Sequence, residues 1–237
     1  MVTRRSACWI RSVDMIVAVY ELAGEVKGVC DEPAQDHTSR APFCATIKAR
    51  MAMEAYILFA GDSNQGILYV CHALLETAME EGWYAEMLSA QTRDELTQCL
   101  IAMSNIPLSP RPHIQPDVGV LANRFAADQL ENSIKPGGLL IMNATQVRRP
   151  PRRHDIDIIM APTEPEAEDP VRVSMTLLGT LIGLTGWVDP NHMARVLKKI
   201  DRDETWCKAF WRGHTYAIGL MRHPAETIHL SSEVMDV

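Results

Sequence analysis

The hydrophobic positions of the chain become regular only after residue 53. Residues 55–60 (AYILFA) form a short apolar run, which predicts a buried strand. Residues 61–66 (GDSNQG) are polar, and from Ile67 onward apolar residues recur at helical spacing until Glu80 and Gly82 end the pattern. This part of the chain is therefore predicted to be a strand, a loop and a helix.

Further strands and helices alternate along the rest of the chain. The turn residues 135–138 (KPGG) precede one of these strands, and Gly186 follows a helix. The next helix opens at Asp189 and Pro190, with Asp at the cap and Pro in the first turn. The predicted strands are 99–103, 118–122, 139–142 and 157–160, and the predicted helices are 173–184 and 190–200. This alternation indicates a Rossmann-like, three-layer α/β/α domain with a mostly parallel or mixed sheet.

Composition narrows the class of protein. A chain of 237 residues with 47% hydrophobic content can form one sizeable domain without disulfides. Its net charge of -7 argues against a general binder of nucleic acid or of membrane surfaces. The six cysteines form no CxxC pair and the eight histidines are scattered, so no metal site is predicted. No apolar run approaches the roughly 20 residues of a membrane span, and Arg11 and Asp14 interrupt the apolar part of a possible signal peptide. We expect a cytoplasmic protein with reduced thiols.

Residues 148–153 (RRPPRR), the arginine loop, are the one strongly basic stretch of the chain. Four arginines around two prolines are typical of an exposed, solvated loop, although a phosphate contact stays open. The acidic residues 164–169 lie nearby in sequence. We expect them to pair with the arginine loop.

The GDSNQG loop lies between the carboxyl end of a strand and the amino end of a helix, where open α/β sheets bind ligands. It has neither the GxxxxGK[ST] nor the GxGxxG pattern of phosphate-binding loops. Asp62 would repel a phosphate unless its side chain turns away or caps the helix. From the residues alone, a ligand loop and a capped turn both stay open.

The motifs from Tyr56 to Ala217, taken in order, resemble the gamma subunit or gamma domain of 2-oxoacid:ferredoxin oxidoreductases. These enzymes act on pyruvate, 2-oxoglutarate, 2-oxoisovalerate or indolepyruvate. Five family patterns have counterparts in the same order: GxGGQG at 61–66, YGxExRGG with SDxPIxxP at 88–110, KPGGxLIxN at 135–143, PATE at 161–164 and NMxxLGA at 174–180.

Several residues depart from these patterns. Ser63 and Asn64 replace two glycines, and both are small enough or tolerant enough of left-handed backbone to keep the same path. Asp94 and Glu95 replace the glycines of RGG and place carboxylates where glycine allows close approach. Ser174 replaces the asparagine that opens the NMxxLGA helix.

The resemblance implies a subunit of an enzyme that converts a 2-oxoacid to an acyl-CoA and reduces ferredoxin. Thiamine diphosphate, with Mg, is expected in alpha and beta subunits, and iron–sulfur clusters in a ferredoxin-like subunit. This chain is expected to contribute coenzyme A contacts and assembly surface, to bind no metal, to carry no catalytic residue and to be inactive alone. The residues expected to face coenzyme A are Gly61, Asp62, Ser63, Asn64, Gln65, Gly66, Arg93, Asn143 and Ser174. For Asn143 a turn role and for Ser174 a helix-cap role are the alternatives.

The resemblance also divides the chain. Residues 53–220 are expected to form the gamma-type domain and 221–237 a C-terminal tail. Residues 1–52 are expected to be either an extension from a misplaced translation start or an arm that packs on a partner subunit. Two other functions stay open: the smaller subunit of an indolepyruvate oxidoreductase, and a non-catalytic paralogue for assembly or regulation, which the change at Asp94 and Glu95 favours.

Overall fold

Six strands form one mixed sheet in the computed structural model, which describes residues 54–109, 113–149, 152–164, 169–201 and 204–222. The expected extension at 1–52 lies outside these residues. The strands are β1 (Glu54–Asp62), β2 (Tyr84–Arg93), β3 (Leu96–Ser104), β4 (Val118–Leu121), β5 (Leu139–Asn143) and β6 (Asp157–Ala161). The helices are α1 (Ile67–Glu80), α2 (Arg124–Leu130), α3 (Val171–Thr185), α4 (Pro190–Ile200) and α5 (Thr205–Arg222).

The sheet has the strand order β2-β3-β1-β4-β5-β6. Strands β1, β4, β5 and β6 are parallel, whereas β3 pairs antiparallel with both β1 and β2. Parallel strands end at the same edge, so the loops that follow β1, β4, β5 and β6 lie along one carboxyl edge of the sheet. The predicted three-layer α/β fold with a mostly parallel or mixed sheet is confirmed.

The two faces of the sheet are covered unequally. Alternate residues of β1 face opposite sides, with Ile57 and Phe59 in the larger apolar core and Leu58 and Ala60 in the smaller one. The larger core is shared with α1, α3, α4 and α5. The smaller core is closed by α2 and by buried residues of the connecting segments, such as Ile134 and Val147.

All the strands and helices predicted from the sequence are present, and one further strand and two further α-helices were missed. These are β2, α2 and α5. Helix α5 ends at Arg222, two residues inside the segment predicted as a tail that begins at 221. Within the described residues, no helix is both long and apolar enough to cross a bilayer.

The arginine loop is exposed as predicted at Arg148 and Arg152 but not at its other two arginines. Arg149 donates to Asp128 at 2.8 Å and to the buried Glu131 at 2.6 Å, and only 16% of its side chain is exposed. Arg153 is also mostly covered and pairs with Asp155. For Arg149 and Arg153 the prediction of a solvated loop was wrong, because buried and half-buried carboxylates of α2 and the following turn draw these two arginines onto the surface of the domain.

The acidic run at 164–169, predicted to pair with this loop, is described only at Glu164 and Asp169, and both bond elsewhere. Among the described residues of the acidic run, Glu164 forms ion pairs with Arg172 of α3 and Arg212 of α5. These contacts join β6 to the two helices at the carboxyl edge. Sequence proximity to the arginine loop therefore did not decide the pairing.

Candidate functional site

The GDSNQG loop begins at the end of β1 and makes one tight turn before α1. Ser63–Gln65 form a short 3-10 helix, and Gly66 then adopts left-handed backbone with φ 67° before α1 starts at Ile67. Ser63 and Asn64 lie outside the left-handed region. Their tolerance of left-handed backbone, which was expected to keep the path of the glycines, is therefore not needed.

The two retained glycines lie where a side chain would not fit. A Cβ on Gly61 would lie 2.5 Å from Gln65 Oε1 and 2.9 Å from Ala122 Cβ. A Cβ on Gly66 would lie 2.8 Å from Val171 Cγ1 of α3, in addition to the cost of positive φ. The replaced positions, Ser63 and Asn64, are exposed. The loop therefore keeps glycine where packing demands it and has lost glycine where solvent accommodates a side chain.

The Arg93 segment lies next to this loop. Arg93 and Leu96 pair across the β2–β3 hairpin, and the two residues between them, Asp94 and Glu95, have φ values of 48° and 70°. Positive φ at both central positions defines a type I′ turn, which glycine and asparagine favour. The Ser63 N–H donates to Glu95 O at 2.9 Å, so the turn and the GDSNQG loop are in direct contact.

Asp62 faces the neighbouring strand end. Its Oδ1 accepts a hydrogen bond of 2.5 Å from Asn123 Nδ2, and its N–H donates to Gln65 Oε1 at 2.8 Å. Burial and the nearby Glu95 carboxylate raise the pKa of Asp62 above its ordinary value of 3.8, while the Asn123 hydrogen bond acts in the opposite direction. The Asp62 side chain is therefore directed at Asn123, and Asp62 and Gln65 also form a capping box.

Asn143 ends β5 and is completely buried. Its Nδ2 donates to Ala122 O at 2.9 Å, and its Oδ1 accepts from Thr145 N–H at 2.9 Å and from Thr163 Oγ1 at 2.7 Å. These bonds connect the loops after β4, β5 and β6. Asn143 therefore links these three loops through its side chain. Its contact with a ligand stays a prediction.

Ser174 lies in the second turn of α3, the helix whose first residue, Val171, covers Gly66. It is 2% exposed, and among the described residues its Oγ finds no hydrogen-bond partner. Arg172 Nε is likewise buried without a partner in this part of the chain, although the Arg172 guanidinium pairs with Glu164. A buried polar atom without a hydrogen-bond partner lowers the stability of the folded state. At the amino end of α3, Ser174 Oγ and Arg172 Nε are two such atoms among the described residues.

The structure thus gathers the GDSNQG loop, Arg93, Asn143 and the first turns of α3 at one edge of the sheet. Asn123 belongs to the same edge but was missed. Asparagine directly after a predicted strand is a frequent helix cap, and α2, which it caps, has too few apolar residues to be recognised from the sequence.

The family of pyruvate ferredoxin/flavodoxin oxidoreductases matches residues 56–212. This span covers more than half of the chain. The chain belongs to this family. Its fold is shared by solved structures of 2-oxoacid:ferredoxin oxidoreductases. Comparison with proteins of curated function gives no match.

Three solved structures show the shared fold. A keto/oxoacid ferredoxin oxidoreductase gamma subunit from Geobacter sulfurreducens is 19% identical with a TM-score of 0.58, and the match covers 70% of this chain and 99% of that one. The 2-oxoglutarate:ferredoxin oxidoreductase of Magnetococcus marinus, solved with 2-oxoglutarate, coenzyme A and succinyl-CoA, is 18% identical with a TM-score of 0.61, covering 72% and 31%. The pyruvate oxidoreductase subunit PORC of Thermotoga maritima is 19% identical with a TM-score of 0.52, covering 69% and 96%.

Proposed function

We propose that this chain is the gamma-type subunit of a 2-oxoacid:ferredoxin oxidoreductase complex. The complex decarboxylates a 2-oxoacid oxidatively, forms an acyl-CoA and reduces ferredoxin. The observation that carries the proposal is the meeting of the GDSNQG loop with the Arg93 turn, through the hydrogen bond from Ser63 N–H to Glu95 O, within a fold of this family.

Coenzyme A contacts are proposed for this edge of the sheet. The amino end of α1 follows the loop and the amino end of α3 packs on Gly66, so two helix dipoles favour the anionic phosphates there. Ser63, Asn64 and Arg93 are exposed and polar, and suit the hydrogen-bonding groups of the coenzyme. The Magnetococcus marinus relative, solved with coenzyme A and succinyl-CoA, supports this ligand.

The remaining chemistry is assigned to partner subunits. Alpha and beta subunits would hold thiamine diphosphate with Mg, and a ferredoxin-like subunit would hold the iron–sulfur clusters. This chain would act in the cytoplasm as part of that hetero-oligomer and would be inactive alone. Residues 53–220 supply the gamma-type domain in this proposal, and residues 1–52 are either an upstream extension or an arm against a partner.

A non-catalytic paralogue is the second candidate, and one observation favours it. Asp62, Asp94 and Glu95 bring three carboxylates to the edge where phosphates would bind, and such charges repel an anion. A chain kept for assembly or regulation would tolerate them. The smaller subunit of an indolepyruvate oxidoreductase is the third candidate, and its complex would act on indolepyruvate.

Native purification through a tag on this chain tests the proposal. We expect it to recover alpha and beta subunits and to give coenzyme A-dependent reduction of a low-potential dye with one member of a 2-oxoacid panel. Preference for indolepyruvate would identify the third candidate. A chain recovered alone, with no coenzyme A affinity by calorimetry, would support the paralogue instead.

Arg93→Gln refines the same experiment. Removing an exposed cation beside the loop should raise the KM for coenzyme A about tenfold and leave the KM for the 2-oxoacid unchanged. Arg195→Gln, which removes an exposed arginine from α4, is the matched control and should change neither value. Equal KM values for coenzyme A in both variants would remove Arg93 from the proposed site.

A further inference from the structure

Asn123 lies between β4 and α2, outside every motif that carries the family resemblance. Asn123 is 4% exposed, and both polar atoms of its side chain form hydrogen bonds. Oδ1 accepts from Ala126 N–H at 2.7 Å and caps α2. Nδ2 donates to Asp62 Oδ1 at 2.5 Å and, more weakly, lies 3.4 Å from Gln65 Oε1.

These bonds hold the GDSNQG loop against the end of β4. Gln65 Oε1 also accepts the Asp62 N–H at 2.8 Å. The Asn123 amide thus reaches both Asp62, which precedes the 3-10 turn, and Gln65, which ends it. Ser63 and Asn64, the exposed residues between them, are held in place by these flanking contacts. The conformation of the loop is thereby tied to the end of β4, which pairs directly with β1.

The hydrogen bond from Asn123 to Asp62 also determines the direction in which the Asp62 carboxylate points. The Asp62 carboxylate lies close enough to Glu95 for the two charges to repel each other. Its hydrogen bond with Asn123 holds it against the strand ends. Without that donor, an ionised Asp62 would gain hydration by turning outward, toward the amino ends of α1 and α3.

We propose that Asn123 is a positioning residue for coenzyme A: by holding Asp62 and Gln65, it keeps the loop in shape and the Asp62 carboxylate away from the phosphates. The inference rests on the proposed function of this edge. It assigns a role to a residue that contacts no ligand itself.

Exchanging the two partners provides the test, in the natively purified complex. Asn123→Asp keeps an oxygen for the α2 cap but loses the donor and sets a second carboxylate against Asp62. We expect the KM for coenzyme A to rise about tenfold, with kcat and the KM for the 2-oxoacid within about twofold of the original. The double variant Asp62→Asn/Asn123→Asp restores one donor and one acceptor at unchanged net charge and should return the KM to within about threefold.

Asn132→Asp is the matched control, because it makes the same substitution at an exposed position just after α2. It should leave all three values unchanged. A double variant no better than Asn123→Asp, or a wild-type KM in both, would overturn the positioning role. If Asn123→Asp fails to assemble, the double variant decides: assembly with a near-original KM supports the role, and continued failure or a raised KM overturns it.

The two proposals fail in different ways. Dye reduction that does not depend on coenzyme A in the unmodified complex would remove the proposed function and this inference with it. Normal coenzyme A dependence together with indifference to the exchange of residues 62 and 123 would remove the inference alone.

Discussion

Glu95 is held in left-handed backbone, with φ 70°, at the second central position of the β2–β3 turn. A residue with a Cβ pays about 1 kcal/mol for this conformation, which glycine adopts freely. Asp94 is better tolerated, since aspartate is among the residues that enter this region. The left-handed backbone thus explains why the family pattern RGG has glycines at these two positions. Their replacement leaves strain in the turn.

We therefore expect Glu95→Gly to stabilise the protein by about 1 kcal/mol, because Asp-Gly is a favoured type I′ pair. It also removes a carboxylate beside Asp62. Urea denaturation of the two proteins measures the difference. Glu86→Gly is the control, since this exposed residue lies within β2 and glycine there should destabilise by up to about 1 kcal/mol. Destabilisation by both substitutions would contradict the strain at Glu95.

Ser174 gives a second test at a single residue. Its buried hydroxyl has no partner among the described residues, so Ser174→Ala should raise the free energy of unfolding of the ligand-free protein by about 1 kcal/mol. If the hydroxyl serves coenzyme A, the same variant should bind it more weakly by calorimetry. Thr180→Ala is a contrasting control, because that hydroxyl donates to Thr176 O at 3.0 Å within the same helix and its loss should destabilise.

At this scale the sequence identified segments that lie together better than it identified the contacts of their residues. The loop and the Arg93 turn, which both resemble family patterns, are in direct contact, and their binding of a ligand stays a prediction. The roles depended on tertiary partners: Asn143 is occupied by Ala122, Thr145 and Thr163. Such partners come from distant strand ends, which neither periodicity nor local spacing encodes.

Among the described helices, α3 and α5 make the most extensive contact. A Cβ on Gly213 would lie 1.8 Å from Thr176 O, and one on Gly179 would lie 1.9 Å from Phe210 O. These helices therefore pack backbone against backbone through their glycines. The amino end of α3 lies against the GDSNQG loop through Val171.

Gly213→Ala should separate these helices and cost more than about 3 kcal/mol, since the obstructing atom is backbone and cannot move aside as a side chain can. Gly219→Ala is the control on the same helix: nothing lies within 4 Å of its added Cβ, and alanine should stabilise the helix by about 0.8 kcal/mol. Thermal unfolding of both variants measures these effects. A similar melting temperature in the two would contradict the close packing.

The same feature explains why α5 was missed in the sequence. Its buried stripe consists largely of small residues, Ala209, Gly213 and Ala217, which do not register as a hydrophobic face. Strand β2 was missed for a different reason. Most of its residues are exposed at the sheet edge, so pairing with β3, and not burial, makes it a strand.

For the molecule as a whole, the apolar runs sufficed to predict the layered sheet, because strands β1, β4 and β5 are buried on both faces and read as continuous apolar segments. The arginine loop could not be predicted from apolar runs. Its charge suggested solvent exposure, yet Glu131, which is 1% exposed, draws Arg149 inward. Burial of one partner, which the sequence does not reveal, decided the outcome.

Stability should also depend on pH through two half-buried histidines. Burial lowers the pKa of His72 and of His214 below the ordinary value of 6.5, and His214 packs against the rings of Phe210 and Trp211. As pH falls below 6.5, the unfolded chain therefore takes up protons before the folded one does. The stability from these neutral histidines is complete above pH 6.5 and is lost as pH falls through the lower folded pKa values.

Urea denaturation between pH 7.5 and 5.5 measures this loss, and the variant His72→Gln/His214→Gln should show a flatter dependence over that range. The carboxylates act in a separate, more acidic window. Bonding to His192 lowers the pKa of Glu80 from 4.5, so its contribution is lost only in stronger acid, while the raised pKa of Asp62 has the opposite sign and favours the folded state on acidification. Equal slopes for both proteins above pH 5.5 would therefore show that neither histidine is kept neutral by the fold.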